Sequence, residues 1–380
     1  MQIELLSNSI DIKKYLRDIN VDSGGVEILS SKANINIIYI RDLHVGAANI
    51  LKQDALSIGA DLAVPRGTVI AKEPYVDCIL IASDKHLKLL KTKELSQPFG
   101  LRDVAHSLRE ILSIKKPANV EVMGVINANN DSFFSSSRFM DKEAISAIEK
   151  MIEEGAAIID IGGVSSAPKS VFVGVDEEMQ RVKPILDIIQ EQKLYDKVKF
   201  SIDSFEPKVI SYALDSGFKI INDITGLANS EVCRLCASYE ASAVIMHMQK
   251  EPKTMQDSPT YEHILSDIYS FFEDRIEFAQ SYGVKDIILD VGIGFGKTLE
   301  HNLLLIKHQE HFLRLNKKLL VGASRKSIID KISPSSVEDR LGGTLALHLE
   351  AIKNGASIVR VHDVAEHTQA LRVYQALSHI

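Results

Sequence analysis

From Val120 onward the chain repeats one pattern, strand then loop then helix, and that repetition constrains its fold more than any other feature. Short apolar strand cores stand at 122–126, 157–161, 198–202, 219–221, 243–246, 287–289, 319–321 and 357–361. Amphipathic stretches such as 144–154, 179–192, 264–282 and 344–354 separate most of them. Continuous apolar strands are those buried on both faces, which means parallel sheet under helices. Eight such units in about 260 residues fit a closed (β/α)8 barrel better than an open doubly wound sheet, although periodicity alone does not show closure.

The preceding residues do not follow the repeat. Segments 35–40, 62–64 and 78–81 read as short buried strands, with helical stretches at 47–57, 84–95 and 101–112. They predict a small α/β domain over 1–114, joined through the polar, proline-bearing run Ser113 to Asn119 to a barrel over 118–380. With 380 residues, 45% of them hydrophobic, the chain has ample material for both cores. A net charge of −7 argues against a nucleic-acid partner. No apolar run approaches the ~18 residues of a membrane span. Three cysteines and a start without a basic leader predict a cytoplasmic protein.

Polar residues cluster where the strands end: Asn127, Asp160, Asp203, Asn222 with Asp223, His247, Asp290, Ser324 with Arg325 and Lys326, and Arg360 with His362. In a barrel these ends meet on one face, where active sites lie. Helix capping accounts for one or two such residues but not for a ring. Two carboxylates and a carboxamide, Asp203, Asp290 and Asn222, suit a flat heterocycle with several N–H donors, and Lys326 would face a carbonyl or ring nitrogen. Arg360 and His362 lie two apart on one strand, hence on one side, and form an anion and metal corner with Asn127. A structural ion-pair network across the barrel mouth is the alternative.

Other motifs fall away. Val291 to Thr298 lacks the first glycine of a phosphate loop and the third glycine of a dinucleotide fingerprint, leaving a glycine-rich turn. Cys233 and Cys236 read as buried structural thiols, and His308 with His311 as a solvated helix face.

Taken together, the strand-end motifs are recognisable. Met123-Gly124-Val125-Ile126-Asn127-Ala128-Asn129-Asn130-Asp131 and Asp160-Ile161-Gly162-Gly163-Val164-Ser165-Ser166-Ala167-Pro168 resemble the first two signatures of dihydropteroate synthases. Ser201-Ile202-Asp203, Ile221-Asn222-Asp223, Met246-His247-Met248, Gly292 to Lys297, Ser324-Arg325-Lys326 and Arg360-Val361-His362-Asp363 follow in the family's order. The resemblance spans about 118–376 and leaves the first 115 residues uncovered. It implies an enzyme that condenses 6-hydroxymethyl-7,8-dihydropterin diphosphate with 4-aminobenzoate in folate synthesis, with Mg2+ as cofactor and a homodimeric assembly. By residue-to-residue correspondence, Asp203, Asn222, Asp290 and Lys326 would hold the pterin, with Met246 packing on its ring. Asn127 would bind the metal and Ser166, Arg360 and His362 the diphosphate. Phe295, Pro168 and Ser324 would face the aminobenzoate, and Asp131, Lys326, Arg360 and His362 would be catalytic.

The loops depart from the family pattern. Ala128-Asn129-Asn130 stands in place of Val-Thr-Pro, and Ala167 in place of an arginine. A pterin-dependent methyltransferase of the same barrel type is the runner-up, but it has no need of Lys326 or the Arg360–His362 corner. A non-catalytic pterin-binding protein is the third reading.

Overall fold

The computed structural model describes residues 3–7, 10–128, 137–164, 173–250, 254–255 and 257–378. The chain divides into two compact units, 1–114 with 376–380, and 115–375. The final helix, Val364–Ser378, runs continuously across the division at 375/376.

The first unit holds α1 (Ile12–Asp18), α2 (Ser23–Ala33), β1 (Ile35–His44), α3 (Val45–Ile58), β2 (Asp61–Ala63), β3 (Tyr75–Ser83), α4 (Asp84–Lys93) and α5 (Leu101–Ser113). Its sheet is antiparallel, in the order β1-β3-β2. Asp11 and Asp22 accept the first-turn amides of α1 and α2, and Ser83 opens α4 with a capping box shared with His86. One sheet face packs Leu62, Cys78 and Leu80 against Leu51, Leu87 and Leu108 of the helices. The opposite face is open: Ile37 is 75% exposed and its cross-strand partner Ile81 43%, whereas Leu80 is fully buried. The expectation of short buried strands therefore holds for one face of this sheet and fails for the other. Helices cover one side of the sheet only, so alternate apolar residues remain outside.

In the second unit the strands are β4 (Glu121–Asn127), β5 (Ile158–Gly162), β6 (Lys199–Asp203), β7 (Ile220–Asp223), β8 (Ser242–Met246), β9 (Ile287–Asp290), β10 (Lys318–Val321) and β11 (Ile358–Val361). All pair in parallel in sequence order, and β11 closes on β4. The intervening helices are α6 (Ser137–Glu153), α7 (Val175–Glu191), α8 (Pro207–Asp215), α9 (Ser230–Ser238), α10 (Ile264–Ser281), α11 (Leu299–Lys307), α12 (Ser327–Ile332) and α13 (Leu341–Lys353), with α14 (Val364–Ser378) last.

Met123, Ile158, Ile220, Val244, Ile288, Leu320 and Ile358, one from each of seven strands, form a single buried cluster. Burying each such side chain contributes roughly 1.5–3 kcal/mol. Side chains two residues apart on a strand point the same way. Moving up two positions from this cluster therefore reaches Val125, Asp160, Asn222, Met246, Asp290, Gly322 and Arg360, four of them polar. The apolar floor and the polar layer above it follow from one alternation. Cys233 and Cys236 are buried thiols on α9, with Cys236 donating to the Ala241 carbonyl at 2.9 Å. His311 departs from the solvated face expected of it. It lies against the rings of Tyr269 and Phe312, and burial pulls its pKa down to about 4.

Candidate active site

Arg360 organises the polar layer. Its Nε donates to Asp160 Oδ2 at 2.6 Å and its Nη2 to Asp203 Oδ2 at 2.7 Å. Asn222 Nδ2 donates to the same Asp160 oxygen at 3.1 Å. The ion-pair network left open by the sequence thus exists, and three of the expected ligand-holding residues belong to it. Burial raises the Asp203 pKa; Arg360 opposes that rise and Asp160 adds to it. With the guanidinium in direct contact, the carboxylate is the form the pair holds. Asp160 carried no assigned role, although it ends the second apolar strand and is completely buried.

Asp290 stands across the layer at the end of β9. Its Oδ1 accepts the Gly292 amide at 2.8 Å, and burial raises its pKa against the opposing charge of Lys326. The turn after it requires glycine: φ at Gly292 is 68°, and a Cβ there would sit 2.0 Å from the His247 carbonyl oxygen. That turn carries Phe295 to the mouth, where Phe295, Met246, Ile224 and Met255 form a buried apolar cluster. Lys326 Nζ lies 4.5 Å from the centre of the Phe295 ring and donates to the Ile293 carbonyl. Burial brings its pKa down to about 8.

Lys297 ends the glycine-rich motif, and the sequence assigns it no role. It is almost wholly buried, donates to the carbonyls of Phe295 at 2.8 Å and His247 at 3.2 Å, and is lowered to about 7 by burial. It braces the glycine turn against β8, and the lone clue in the sequence was its place two residues beyond Phe295.

On the other flank, Ser324 Oγ and His362 Nδ1 lie 2.9 Å apart, and the His362 amide donates to the same hydroxyl at 3.3 Å. Burial, with Arg360 nearby, holds the His362 pKa below its ordinary value. Arg325 lies in the left-handed region (φ 54°) and clasps Asp363 at 2.6 and 2.9 Å. Asn127 ends β4 opposite Gly162 of β5. Asp131, Ser166 and Pro168 lie outside the described residues.

The structure thus brings together Asp203, Asn222 and Arg360 through Asp160, Met246 with Phe295 and Lys326, and Ser324 with His362. Their elements all end on one barrel face, which has hydrogen-bonding carboxylates, an apolar wall and cations, the components a flat, donor-rich, anionic ligand requires. Among the described residues no group of three His, Cys, Asp or Glu side chains could hold a metal, and no helix is long and apolar enough to cross a membrane.

Residues 123–362 match the family model described as pterin binding enzyme. The bifunctional dihydropteroate synthase/dihydropteroate reductase of Helicobacter pylori is 42% identical over 366 residues, 96% of each chain. The dihydropteroate synthase of Haemophilus influenzae is 38% identical, across 67% of this chain and 93% of its own. The solved structure of Xanthomonas albilineans dihydropteroate synthase with 4-aminobenzoic acid superposes with a TM-score of 0.64 at 32% identity, covering 69% of this chain and 94% of that one. A closed eight-stranded barrel with its polar layer at the strand ends, matched in sequence and structure by these proteins, places the chain in the pterin-binding enzymes, as a transferase of the dihydropteroate synthase type.

Proposed function

We propose that the barrel joins the methylene carbon of 6-hydroxymethyl-7,8-dihydropterin diphosphate to the amine of 4-aminobenzoate, releasing diphosphate. The observation that carries this reading is the polar layer itself: carboxylate and carboxamide acceptors beside an apolar wall, with cations at its edge. Asp203, Asn222 and Asp290 accept the pterin's N–H groups, while Met246 packs on its ring. Arg360 has five N–H donors, more than its bonds to Asp160 and Asp203 consume. It can hold those carboxylates and still meet a phosphate, which His362 and Ser166 also bind in this reading.

As the C–O bond to diphosphate breaks, the electron-rich pterin spreads positive charge from the methylene carbon. The aryl amine then forms the C–N bond and gives up its proton. Lys326 supplies charge at the ring edge, and Phe295, Ser324 and Pro168 border the arylamine. Asp131 completes the catalytic set. A carboxamide oxygen is a hard donor, and Mg2+ commonly takes one or two protein oxygens with water and substrate phosphates filling the rest. Asn127 fits that pattern and would hold the ion, which neutralises charge on the leaving diphosphate. The assembly is a homodimer in this reading, measurable by light scattering.

The test uses the full chain with both substrates and Mg2+. One diphosphate released per dihydropteroate formed supports the reading. Pterin binding without arylamine-dependent diphosphate release would make the protein a binder instead.

A second activity is favoured by one observation: the match to the bifunctional Helicobacter protein runs through the first unit as well as the barrel. Reduction of dihydropteroate would add hydride at C6 and a proton at N5, with NADPH or a reduced flavin as hydride donor. Tetrahydropteroate appearing in a mass assay with either reductant supports it, and none with both rules it out.

A further inference from the structure

Behind the mouth, two histidines that the reaction does not use are buried together. His348 lies on α13 and His367 on α14, 1% and 2% exposed. The Ala323 amide donates to His348 Nε2 at 3.0 Å. His348 Nδ1 lies 2.9 Å from His367 Nε2, and His367 Nδ1 lies 2.6 Å from the Asp363 carbonyl oxygen. The proton positions follow from these partners. An amide N–H can only donate, so His348 Nε2 is bare and the proton sits on Nδ1. His367 Nε2 must then accept, and its proton sits on Nδ1, facing a carbonyl that can only accept. The chain runs one way, from the main chain of Ala323 to the main chain of Asp363, through two neutral imidazoles. Burial holds both pKa values below the ordinary histidine range, consistent with neutral rings.

The two ends are telling. Ala323 precedes Ser324, Arg325 and Lys326; Asp363 follows Arg360 and His362. In front of the relay, Ser324 meets His362 and Arg325 clasps Asp363. The Arg325 amide also donates to Thr344 Oγ1 at 2.9 Å, and Thr344 lies one helical turn before His348 on α13. That face of α13 therefore holds the amides on both sides of Ser324, in a turn whose Arg325 sits in the left-handed region that surrounding contacts must enforce.

We infer that His348 and His367 are positioning residues, a buried two-imidazole relay that locks the Ser324–Lys326 turn to the Arg360–His362 strand end and so sets the diphosphate-binding side of the site. The relay touches neither Asp290 nor Asn222, and the side chain of Lys326 is fixed separately by the Ile293 carbonyl, so the pterin-holding groups depend on the relay far less than the diphosphate side does. The inference rests on the condensation reading above.

The experiment measures kcat and KM for the pterin diphosphate, and calorimetric affinity for plain 6-hydroxymethylpterin, in the full-length parent and in His348→Phe, His367→Phe, the double variant and His348→Gln. Parent turnover tests the condensation reading; the ratio of variant to parent tests the relay. We expect kcat/KM to fall tenfold or more in each Phe variant, with hydroxymethylpterin affinity within twofold of the parent. The double variant should be no worse than either single one, since one break empties the chain. His348→Gln should recover to within threefold, because a carboxamide offers one acceptor and one donor at similar spacing. Melting-temperature losses with kcat/KM unchanged would reduce the histidines to packing, and so would Phe and Gln variants of equal activity. If His348→Phe does not fold, His367→Leu takes its place with the same criteria, as it leaves the His348 Nδ1–H without its acceptor and the Asp363 carbonyl without its side-chain donor but keeps the buried Ala323 amide paired with His348.

Discussion

The barrel strands and the strands of the first unit are built from the same residues, Ile, Leu and Val, yet they end in opposite situations. In β5, every residue from Ile158 to Gly162 is buried, and the second side chain above the floor is a carboxylate answered by Arg360. In β1 and β3 alternate residues are exposed, and Ile37 and Ile81 face out as a pair. Closure explains the difference. A barrel buries both faces of each strand and forces the residues at its rim to converge, so polar groups there must answer one another. A three-stranded sheet with helices on one side has no such demand, and its open face carries surface contacts such as Arg41 4.6 Å from the Tyr39 ring and the Tyr39 hydroxyl donating to Asp77 Oδ2.

The largest expected effect breaks the barrel side of this contrast. Arg360→Leu leaves Asp160 and Asp203 buried against each other and should cost about 3–5 kcal/mol of stability along with most activity. Without the guanidinium the Asp203 pKa rises further. The native state then binds more protons than the unfolded one above the unfolded carboxylate pKa, so stability falls as pH rises. The deficit measured by urea denaturation should therefore be greater at pH 8 than at pH 5; a pH-independent deficit would contradict the ion-pair account.

In the first unit the covered face should behave like any core. Leu80→Ala is expected to cost about 2–5 kcal/mol in the same denaturation experiment, and a cost below 1 kcal/mol would mean the packing is misread. A middle-sized effect concerns Lys326 alone. Its cation persists below its pKa of about 8, so kcat/KM should decline as pH climbs past that value, approaching tenfold per pH unit, and Lys326→Met should abolish that limb. The smallest effect belongs to the open sheet face: Ile37→Lys should shift stability by no more than about 0.5 kcal/mol. A loss of several kcal/mol there would show that something covers the face.

How much of this was legible follows the same division. All eight barrel strands could be read because burial on both faces leaves an uninterrupted apolar run, and the polar residue ending each run announced the rim. Which rim residues pair was not legible: Asp160 and Arg360 stand 200 positions apart and meet only because β11 closes on β4. The role of Asp160 was missed for that reason. His348 and His367 were invisible because a lone histidine on a helix gives no sign of its partner. In the first unit, β1 is apolar on both its faces, so alternation could not reveal that one stays open. The short helices α1 and α2 left only their capping aspartates as a signal.

Pterin recognition by the barrel's polar layer is the central claim, and calorimetry of plain 6-hydroxymethylpterin tests it most directly. Asp290→Asn keeps an oxygen for the Gly292 amide but turns a donor toward the ligand where an acceptor is needed, at about 1–3 kcal/mol per mismatched bond. The account predicts roughly 10- to 100-fold weaker binding in that variant and parental affinity in Ile37→Lys. Equal affinity in Asp290→Asn and the parent would place the pterin somewhere else.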